Sequence, residues 1–564
     1  AAGPAAAGAR AADAPGGPAL LAPGVDTPIG TLTRGQILGA KTYGIPAWST
    51  RTVTSPPFVV PPGALLRLSL GVEDAAWDID SAPVYFRVIY EDEHGATQDL
   101  FRRILDPSHN PRDRRWYDND VDLSDLAGRT IRLRFVTEPV KADDPRPSLP
   151  VWGDPRVLAP AAGPRRPAIV LISLDTLRAK SMSLYGHARA TTPFMTRLAA
   201  RGTAFDNAFT TFSNTLGAHM SMLTGLLPAT HDVRGLDRIL ADDRVLLAES
   251  LRRAGFATGA FTEDALLDSR RGFRRGFSAY YEDTTTEAGG GNAETTFGRA
   301  LAWAAAHADE PFFLFVHTYQ VHAPYDPPPA YRDAFPDDGA AKQQRRYEQE
   351  IRYLDDVLQR LVVGLQRLIP DDDLLLVVTA DHGEEFLEHG YSGHVQLFDE
   401  VMHVPLLFVW SRHVRAGGRI AELVSLIDVA PTILQLAGVD APPGMDGLSL
   451  VPLLTGSAPT LGRALVLGES PPITNGSLRQ FVARSRDAKC MIAEGDAATR
   501  CYDLTADPDE RAARVAGDDT RFAPLDAAVT AYRARSLASL ARGHAPAPPD
   551  ESIERKMRAL GYVE

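Results

Sequence analysis

The feature that most restricts the fold of this chain is a series of short, continuous apolar runs that alternate with helical segments over residues 168–437. Strands that are apolar on both faces and alternate with helices are typical of a largely parallel sheet covered by helices on both sides. The runs are Ala168–Leu174, Ala257–Phe261, Phe312–Val316, Leu374–Val378 and Pro405–Trp410. The helical candidates are Pro193–Arg201, Leu246–Ala254, Thr295–His307, Ala341–Leu368 and Ile427–Ala437.

The composition excludes several classes of protein. A chain of 564 residues with 44% hydrophobic and 23% charged residues is an ordinary globular composition with room for more than one domain. The formal net charge of −13 argues against a nucleic-acid partner, because phosphate-backbone binding depends on Lys and Arg. The longest purely apolar run, Ala300–Ala306, is too short to span a membrane.

The chain before the apolar runs has a different texture. Residues 1–24 are almost entirely Ala, Gly and Pro, and we expect a flexible lead-in there. Over residues 25–160 apolar and polar residues alternate, as in Leu66-Arg67-Leu68-Ser69-Leu70, which predicts half-buried antiparallel strands. We interpret this segment as an all-β sandwich domain. The stretch Trp116–Ser124 loosely resembles jelly-roll carbohydrate-binding modules, and a purely structural accessory domain is the alternative.

The remainder, residues 161–564, is predicted to be the catalytic domain, with a small C-terminal subdomain from about residue 460. It contains both cysteines of the chain, Cys490 and Cys501. If Gly495-Asp496 is a two-residue hairpin loop, equal counting outward places the two cysteines opposite each other. That register permits a disulfide, which would indicate an oxidising compartment.

Polar residues follow three of the apolar runs. Asp175 follows the first run, Asp381 and His382 follow the run that ends at Val378, and His317 and His322 follow the run that ends at Val316. The carboxyl ends of parallel strands meet at one edge of a sheet, where ligands bind in this class of fold. A single Asp after a strand is usually a helix cap, so the convergence of three strand ends carries the functional interpretation.

A fourth element is the segment Ser213–Gly225. Thr215 can cap the helix that follows it, and His219 lies one turn later on the same face. A helix N-terminus provides a positive field that suits phosphate or sulfate. An ordinary Thr cap with a surface histidine is the alternative.

These residues belong to a larger set of motifs: Ile172–Arg178, Thr191–Pro193, Leu223–Pro228 with His231, Thr379–Glu384, Val404–Leu406, Tyr502–Leu504 with Asp507-Pro508, and Ala559–Tyr562. Together these motifs resemble the sulfatase family of the alkaline phosphatase superfamily. The resemblance runs from about residue 165 to the C-terminus and implies an alkaline-phosphatase-like α/β fold.

The chain departs from the family at the nucleophile. Family sulfatases carry Cys or Ser at the start of a C/S-x-P-S-R segment, where oxidation gives formylglycine. Thr215 occupies that position here, followed by Gly217, Ala218 and His219 at the Pro, Ser and Arg positions. Oxidation of Thr would give a ketone, so a Thr nucleophile is more similar to phosphoryl-handling relatives, namely nucleotide pyrophosphatases/phosphodiesterases, lipoteichoic acid synthases and phosphoethanolamine transferases.

The resemblance also implies roles for the other residues. A divalent ion would be held by four ligands: Asp175, Thr215, Asp381 and His382. His322 would contact substrate and protonate the leaving group. The substrate-binding candidates are His219, His317 and His394, the last of which falls where sulfatases place a substrate Lys.

The cation is expected to be a single Zn²⁺ or Mn²⁺ ion, because the set of ligands mixes carboxylates with an imidazole; Ca²⁺ and Mg²⁺ are the oxygen-preferring alternatives. Glu385 and His389 lie near in sequence, but their spacing gives no firm second site.

The sequence therefore predicts a metal-dependent ester hydrolase, periplasmic or secreted with its leader absent from this chain, that attacks phosphodiesters or related phosphoryl esters through Thr215. Its substrate would be a small-molecule ester or one linked to a glycan or lipid. Three alternatives stay open: a sulfatase that acts without formylglycine, a transferase that passes the phosphoryl group to a glycan or lipid head group, and a non-catalytic binding protein.

Overall fold

The computed structural model describes residues 19–20, 33–37, 40–46, 51–73, 76–114, 117–142, 144–159, 166–263, 265–283, 291–336, 339, 341–471 and 479–541. The predicted lead-in over residues 1–24, apart from Ala19–Leu20, and the Ala559–Tyr562 motif lie outside the described residues. The chain divides into two compact units, one formed mainly by residues up to 165 and the other mainly by residues from 166 on.

The N-terminal unit is built from antiparallel strands that form two sheets. The strands are β1 (Ala19–Leu20), β2 (Thr33–Ile37), β3 (Ala40–Pro46), β4 (Arg51–Thr54), β5 (Phe58–Val59), β6 (Leu65–Val72), β7 (Val84–Asp92), β8 (Thr97–Leu105), β9 (Tyr117–Asp122), β10 (Thr130–Pro139) and β11 (Pro150–Leu158). One sheet has the order β4-β10-β7-β8 and the other contains β3-β11-β6-β9.

Alternate residues of these strands share one hydrophobic core. Leu66, Leu68 and Leu70 on β6 are buried there, and the intervening residues of the strand are half-buried. Trp152 on β11 packs edge-on against Phe86, with ring centroids 5.1 Å apart. Period-two alternation therefore places the apolar side chains of both sheets toward a common interior.

The second unit is an α/β structure with a mixed central sheet. Its strands are β12 (Ala168–Leu174), β13 (Thr203–Phe209), β14 (Ala257–Thr262), β15 (Ala279–Glu282), β16 (Phe312–Thr318), β17 (Leu374–Thr379), β18 (Glu385–Phe386), β19 (Ser392–Gly393), β20 (Leu406–Val409), β21 (Gly418–Ser425), β22 (Val466–Glu469), β23 (Gln480–Arg484), β24 (Ala488–Ala493), β25 (Arg500–Asp503) and β26 (Arg514–Val515). Its helices are α1 (Pro193–Ala199), α2 (Thr215–Thr224), α3 (Pro228–His231), α4 (Leu247–Arg253), α5 (Ala293–Ala306), α6 (Lys342–Leu368), α7 (Asp399–Met402), α8 (Val429–Leu436), α9 (Val451–Thr455) and α10 (Phe522–Leu540).

The central sheet has the order β21-β13-β20-β17-β12-β16-β14-β15. The strands from β17 to β15 are parallel, as the apolar runs predict, and α5 packs against β14 and β16. β20, however, is antiparallel to both of its neighbours, β13 and β17, so the sheet is mixed. A continuous apolar run predicts burial on both faces of a strand but carries no information on its direction.

The C-terminal part forms a second, antiparallel sheet with the order β22-β23-β24-β25-β26, against which α10 packs. Cys490 on β24 lies opposite Cys501 on β25, and the two are joined in a disulfide, which confirms the predicted pairing. The loop between these strands covers residues 494–499 and is longer than the predicted two-residue turn. The pairing register is nevertheless the predicted one, because Met491 also lies opposite Arg500.

None of the helices in the described part of the chain combines the length and the apolar character that a membrane crossing requires.

Candidate active site

Three neighbouring strands bring the predicted polar residues to one edge of the central sheet. β12 lies between β17 and β16, and Ser173 is in register with both His317 and Thr379. Because the three strands are parallel, the residues that follow them emerge on the same side. Asp175, Asp381 and His382 thereby come together, and all three are fully buried.

Thr215 is the first residue of α2, but it does not cap the helix as the sequence predicts. Asn214 is the capping residue: its backbone is extended, and its side chain accepts a hydrogen bond from the Gly217 backbone N–H at 3.3 Å. The amide oxygen of Asn214 satisfies the helix end. The Thr215 hydroxyl is therefore available for other contacts.

The Thr215 hydroxyl points into the group of buried polar residues. Its Oγ1 donates a hydrogen bond to Asp175 Oδ2 at 3.0 Å and lies 3.4 Å from His382 Nε2. His382 Nδ1 lies 3.0 Å from the Gly383 carbonyl oxygen, which can only accept, so Nδ1 holds a proton and Nε2 presents its lone pair toward Thr215. The structure thus brings together all four predicted ligands, Asp175, Thr215, Asp381 and His382.

The two carboxylates leave oxygens that suit a cation. Within the described residues, Asp175 Oδ1 and Asp381 Oδ2 are buried and have no hydrogen-bond partner. Asp175, Asp381 and His382 each offer a ligand atom, and these atoms lie within 4.8 Å of one another. Buried carboxylate oxygens that accept no hydrogen bond are costly unless a positive charge compensates them. The donor set therefore fits a divalent cation, and its mixture of oxygen and nitrogen suits Zn²⁺ or Mn²⁺.

The protonation tendencies of the two aspartates differ. Burial, together with the neighbouring charge of Asp381, raises the pKa of Asp175 well above its ordinary value. Burial also opposes ionisation of Asp381, but His382, His219 and His317 outweigh it and lower the pKa of that carboxyl. Without a cation, the site therefore favours a proton on Asp175 and a negative charge on Asp381.

His219 and His317 form the wall behind these carboxylates. The ring nitrogens of His219 contact the Thr215 carbonyl and Ser173 Oγ, both at 2.8 Å. His317 Nε2 lies 3.2 Å from Asp175 Oδ2. Both rings are fully buried, and burial lowers their pKa values to about 3 and about 4. The structure brings both histidines into the site through contacts with protein groups, and His219 is not the surface residue of the alternative interpretation.

His219, His317 and Asp381 form a second group whose ligand atoms lie close together. This group is less suited to a cation. His219 Nδ1 must donate to the Thr215 carbonyl oxygen, which can only accept, and its Nε2 is engaged by Ser173. His219 therefore has no nitrogen to offer without breaking one of these bonds.

The less buried end of the site contains His322 and His394, whose ring centroids lie 5.3 Å apart. His322 Nδ1 donates to the Ala323 carbonyl at 2.7 Å, and burial with the adjacent His394 lowers the pKa of His322 to about 4. The His394 ring lies over His382 with centroids 4.4 Å apart, and His394 is 9% exposed. Both predicted histidines thus lie beside the Thr215 group.

Sequence reasoning did not identify Glu384, which follows His382 in the chain. Its Oε1 lies 3.1 Å from His394 Nδ1, and its Oε2 accepts a hydrogen bond from the Tyr325 hydroxyl at 2.9 Å. Burial opposes ionisation of Glu384, but His394, His322 and Tyr325 outweigh it and lower the pKa of this carboxyl. Membership in the Thr379–Glu384 motif was the available signal, whereas nothing in the sequence pointed to Tyr325.

Thr176, next to Asp175, was also missed. It has a φ of +55°, which is costly for a β-branched residue. Its hydroxyl donates to the Val321 carbonyl at 2.9 Å, and its own carbonyl accepts from the Tyr347 hydroxyl at 2.7 Å. This conformation directs the Thr176 N–H toward Asp381 Oδ1, 3.4 Å away. The surrounding contacts stabilise a strained turn that orients a carboxylate of the site.

Glu385 and His389 do not form a second cation site in the structure. The His389 ring stacks on Phe398 with centroids 3.5 Å apart, and its Nε2 lies 3.2 Å from Glu400 Oε2. Glu385 is buried with no hydrogen-bond partner among the described residues, and burial together with Glu400 and Glu388 raises its pKa to about 9.

Comparison with known families gives two matches. Residues 167–439 match the model of the sulfatase family, and residues 387–525 match the model described as N-sulphoglucosamine sulphohydrolase, C-terminal. The first match contains every residue of the site described above.

Individual relatives of the chain include arylsulfatases. Human arylsulfatase A is 27% identical over 426 residues, which cover 63% of this chain and 81% of that protein. Mouse arylsulfatase K is 30% identical over 165 residues, and the chain spans only 29% of its length.

Among solved structures, the phosphonate monoester hydrolase of Agrobacterium radiobacter superposes with a TM-score of 0.57 at 22% identity, covering 67% of this chain and 96% of that one. A protein solved in complex with its substrate D-glucosamine-2-N,6-O-disulfate superposes with a TM-score of 0.56 at 18% identity, covering 68% and 99% of the two chains. These two likenesses establish a shared α/β fold with a mixed central sheet.

Proposed function

We propose that this chain, whose residues 167–439 match the model of the sulfatase family, is a metal-dependent hydrolase of that family that uses Thr215 as its nucleophile on phosphodiesters or related phosphoryl esters. The observation that carries the proposal is the contact of the Thr215 hydroxyl with Asp175 at 3.0 Å, beside buried carboxylate oxygens that have no hydrogen-bond partner in the described part. Covalent ester hydrolysis requires a nucleophile in contact with a base and close to a positive charge. Asp175 is the base here, and the cation would supply the positive charge.

The cation would be held by Asp175, Asp381 and His382, with Thr215 as the fourth ligand. When bound, a divalent ion supplies positive charge that favours ionisation of the nearby hydroxyl and offsets the charge on the phosphoryl group. His219 and His317 hold the two aspartates from behind, since they lie 3.5 Å from Asp381 Oδ2 and 3.2 Å from Asp175 Oδ2.

In the first half of the reaction, Thr215 Oγ1 forms a bond to phosphorus while the bond from phosphorus to the leaving-group oxygen breaks. The hydroxyl proton moves to Asp175 Oδ2, the atom to which it is already hydrogen-bonded. In the second half, water attacks phosphorus and gives a proton to His322, while the Thr215 oxygen leaves and takes back the proton held by Asp175. Thr215 is fully buried, which limits the number of water molecules that compete with its hydroxyl for the phosphorus of a bound ester.

His322 is the group that protonates the leaving oxygen in this proposal. Its Nδ1 proton is committed to the Ala323 carbonyl, so Nε2 is the nitrogen that can hold and release a second proton. Burial keeps the free ring neutral near pH 7, and an anionic ester bound beside it favours the protonated form.

The charge of the site favours singly charged esters. The described residues at the less buried end of the site, where the ester would bind, are the imidazoles of His322 and His394 rather than Lys or Arg. The remaining fixed attraction comes from the N-terminus of α2, where Thr215 lies. A phosphodiester or phosphonate monoester carries one negative charge, whereas a phosphate monoester carries close to two at neutral pH.

Sulfate esters are the second candidate substrates. They carry a single negative charge as well, and human arylsulfatase A is among the relatives. In that case Thr215 would attack sulfur directly.

We also propose that the protein acts in the periplasm or outside the cell and that residues 25–160 are a β-sandwich accessory domain. The Cys490–Cys501 disulfide supports the first point, because such bonds persist mainly in oxidising compartments. The shared core of two antiparallel sheets supports the second.

The test is a panel of nitrophenyl esters: the phosphate diester, the phenylphosphonate, the phosphate monoester and the sulfate. We expect the diester or phosphonate to be turned over fastest, with activity lost on chelation and restored by Mn²⁺ or Zn²⁺. Thr215→Ala is expected to lose at least about 10³-fold in kcat, because it removes the nucleophile.

Thr224 provides the matched control at the far end of α2, where its hydroxyl donates to the Met220 carbonyl at 2.6 Å. Thr224→Ala should retain wild-type turnover. Full activity in Thr215→Ala would exclude the assigned nucleophile, and preference for the sulfate would select the second candidate. Product that forms only with an added alcohol acceptor would identify a transferase.

A further inference from the structure

Two adjacent buried glutamates follow His382, and their surroundings differ sharply. Glu384 is 1% exposed, and its two carboxylate oxygens contact His394 Nδ1 at 3.1 Å and the Tyr325 hydroxyl at 2.9 Å. Glu385 is fully buried too, but neither of its oxygens has a hydrogen-bond partner among the described residues. Of the two, only Glu384 makes side-chain hydrogen bonds to neighbouring residues of the site.

The contact with Glu384 determines which nitrogen of His394 carries a proton. A carboxylate only accepts hydrogen bonds, so His394 must place a proton on Nδ1. Nε2 then carries the lone pair of the ring. His382 and His322 show the same pattern, because their Nδ1 protons are directed to the carbonyls of Gly383 and Ala323.

Glu384 differs from these backbone carbonyls because its position depends on a further contact. The Tyr325 hydroxyl holds the second carboxylate oxygen, which keeps the carboxylate from rotating away from His394. His394 in turn lies between His382, with ring centroids 4.4 Å apart, and His322, at 5.3 Å. A turned or displaced His394 ring would therefore disturb the less buried end of the site.

We propose that Glu384 is a positioning residue that fixes the ring orientation and the protonated nitrogen of His394, so that Nε2 is presented to the ester bound beside Thr215. This inference rests on the proposed function, since it assigns a role in the same site. It predicts that Glu384 acts on catalysis only through His394. A purely structural link between the chain at Tyr325 and the chain at His394 would instead affect folding without this dependence.

The experiment is a double-mutant cycle on Glu384 and His394, with kcat and KM measured on the best ester of the panel. We expect Glu384→Ala and His394→Ala each to lose about 10- to 100-fold in kcat/KM, as is usual when the partner of a site histidine is removed. The double variant should lose no more than His394→Ala alone, because Glu384 has nothing left to position.

Two further variants separate positioning from charge and from packing. Glu384→Gln keeps an oxygen that accepts from His394 Nδ1 and should recover kcat/KM to within about fivefold of the wild type. Glu385→Gln is the matched control one residue away, and it should leave kcat and KM unchanged because the Glu385 carboxylate makes no hydrogen bond to His394 or to any other described residue.

The experiment distinguishes failure of the positioning role of Glu384 from failure of the proposed hydrolase function. If the wild type hydrolyses no ester, the proposed function falls and the positioning role falls with it. If the wild type is active but the two alanine substitutions multiply in their effects, or Glu384→Ala has wild-type kinetics, the positioning role alone is overturned. Should Glu384→Ala not fold, the same cycle with Glu384→Asp, whose shorter side chain cannot reach both partners, decides between the outcomes in the same way.

Discussion

At the scale of single residues, the site is a set of buried charges whose free energy depends on exact contacts. Asp175 and Asp381 lie in a fully buried environment and are held by His317 and His219 and, for Asp381, by the strained turn at Thr176. Even so, one oxygen of each carboxylate, Asp175 Oδ1 and Asp381 Oδ2, has no hydrogen-bond partner in the described part. The chain thus maintains an unfavourable local arrangement that a ligand of positive charge would relieve.

Glu385 gives a prediction on pH dependence at this scale. Its pKa in the folded protein is raised to about 9 from an ordinary value of 4.5, first by burial and then by Glu400 and Glu388. The folded state therefore prefers the protonated carboxyl. As pH rises from about 4.5 to 9, the unfolded state loses this proton more readily, and the wild-type protein loses stability.

Glu385→Gln mimics the protonated carboxyl at every pH. We expect the variant and the wild type to have similar Tm values at pH 5. At pH 9 the variant should have the higher Tm, and its free energy of unfolding should exceed that of the wild type by at least ~1 kcal/mol. Thermal melts at pH 5, 7 and 9 measure the difference. A gap in Tm that does not widen with pH would show that Glu385 is ionised in the folded protein.

At the scale of elements, the nucleophile segment is anchored by the C-terminal sheet. The Glu469 backbone N–H on β22 donates to the Thr211 carbonyl at 3.0 Å, four residues before Thr215. The Glu469 carboxylate accepts from Arg234 at 3.1 Å and from Ser536 on α10 at 2.6 Å. These three side chains are buried, so one ion pair joins β22, α10 and the segment after α3.

Breaking this ion pair should be strongly destabilising. Glu469→Gln leaves the Arg234 guanidinium buried with reduced compensation, and we expect a loss of about 3 kcal/mol or more in the free energy of unfolding. Arg360, which pairs with Glu294 on the protein surface, is the control; Arg360→Ala should cost less than ~1 kcal/mol. Urea unfolding followed by circular dichroism measures both, and equal losses for the two variants would contradict the expected role of burial.

The element scale also shows what the sequence could predict and why. Three of the four ligand candidates, Asp175, Asp381 and His382, could be placed together because parallel strands direct their carboxyl ends to one edge of a sheet, whatever the details of packing. Thr215 could be added to them only through the resemblance to the sulfatase family. The direction of β20 could not be predicted, since an apolar run reads the same in either direction. The contacts of His219 with Ser173 and of Glu384 with Tyr325 could not be predicted either. Those pairs are separated by 46 and 59 residues and meet only through tertiary packing.

The assignment of the helix cap shows a further limit. Asn214 and Thr215 are both good capping residues, and the two choices differ by one position. The choice has chemical consequences, because a capping Thr215 would have turned its hydroxyl toward the helix end. Asn214 takes that role, which leaves the hydroxyl to contact Asp175.

At the scale of the whole molecule, the disulfide contributes to stability far from the chemistry. Cys490 and Cys501 join β24 to β25 in the C-terminal sheet and close a loop of 11 residues. In the chain-entropy model a loop of this size contributes about 3 kcal/mol. We expect the Cys490→Ser, Cys501→Ser double variant to have a lower Tm than the oxidised wild type. Adding reductant should lower the Tm of the wild type but not that of the double variant.

Isothermal titration with Mn²⁺ or Zn²⁺ provides the control for this prediction. The double variant should bind the ion with unchanged affinity at temperatures well below its Tm, because neither cysteine contacts the site. A lower affinity would mean that the C-terminal sheet influences the cation site beyond its effect on folding.

The hydrogen bond from Glu469 to Thr211 also bears on protein engineering. The segment that carries the nucleophile receives part of its support from a strand more than 250 residues later, so we expect a fragment trimmed before β22 to lose that support. Shortened versions that end at the last strand of the central sheet would retain every proposed metal ligand and still present Thr215 on an unsupported loop. Libraries that exchange C-terminal segments between homologues should therefore move Thr211–Thr215 and β22 as one block.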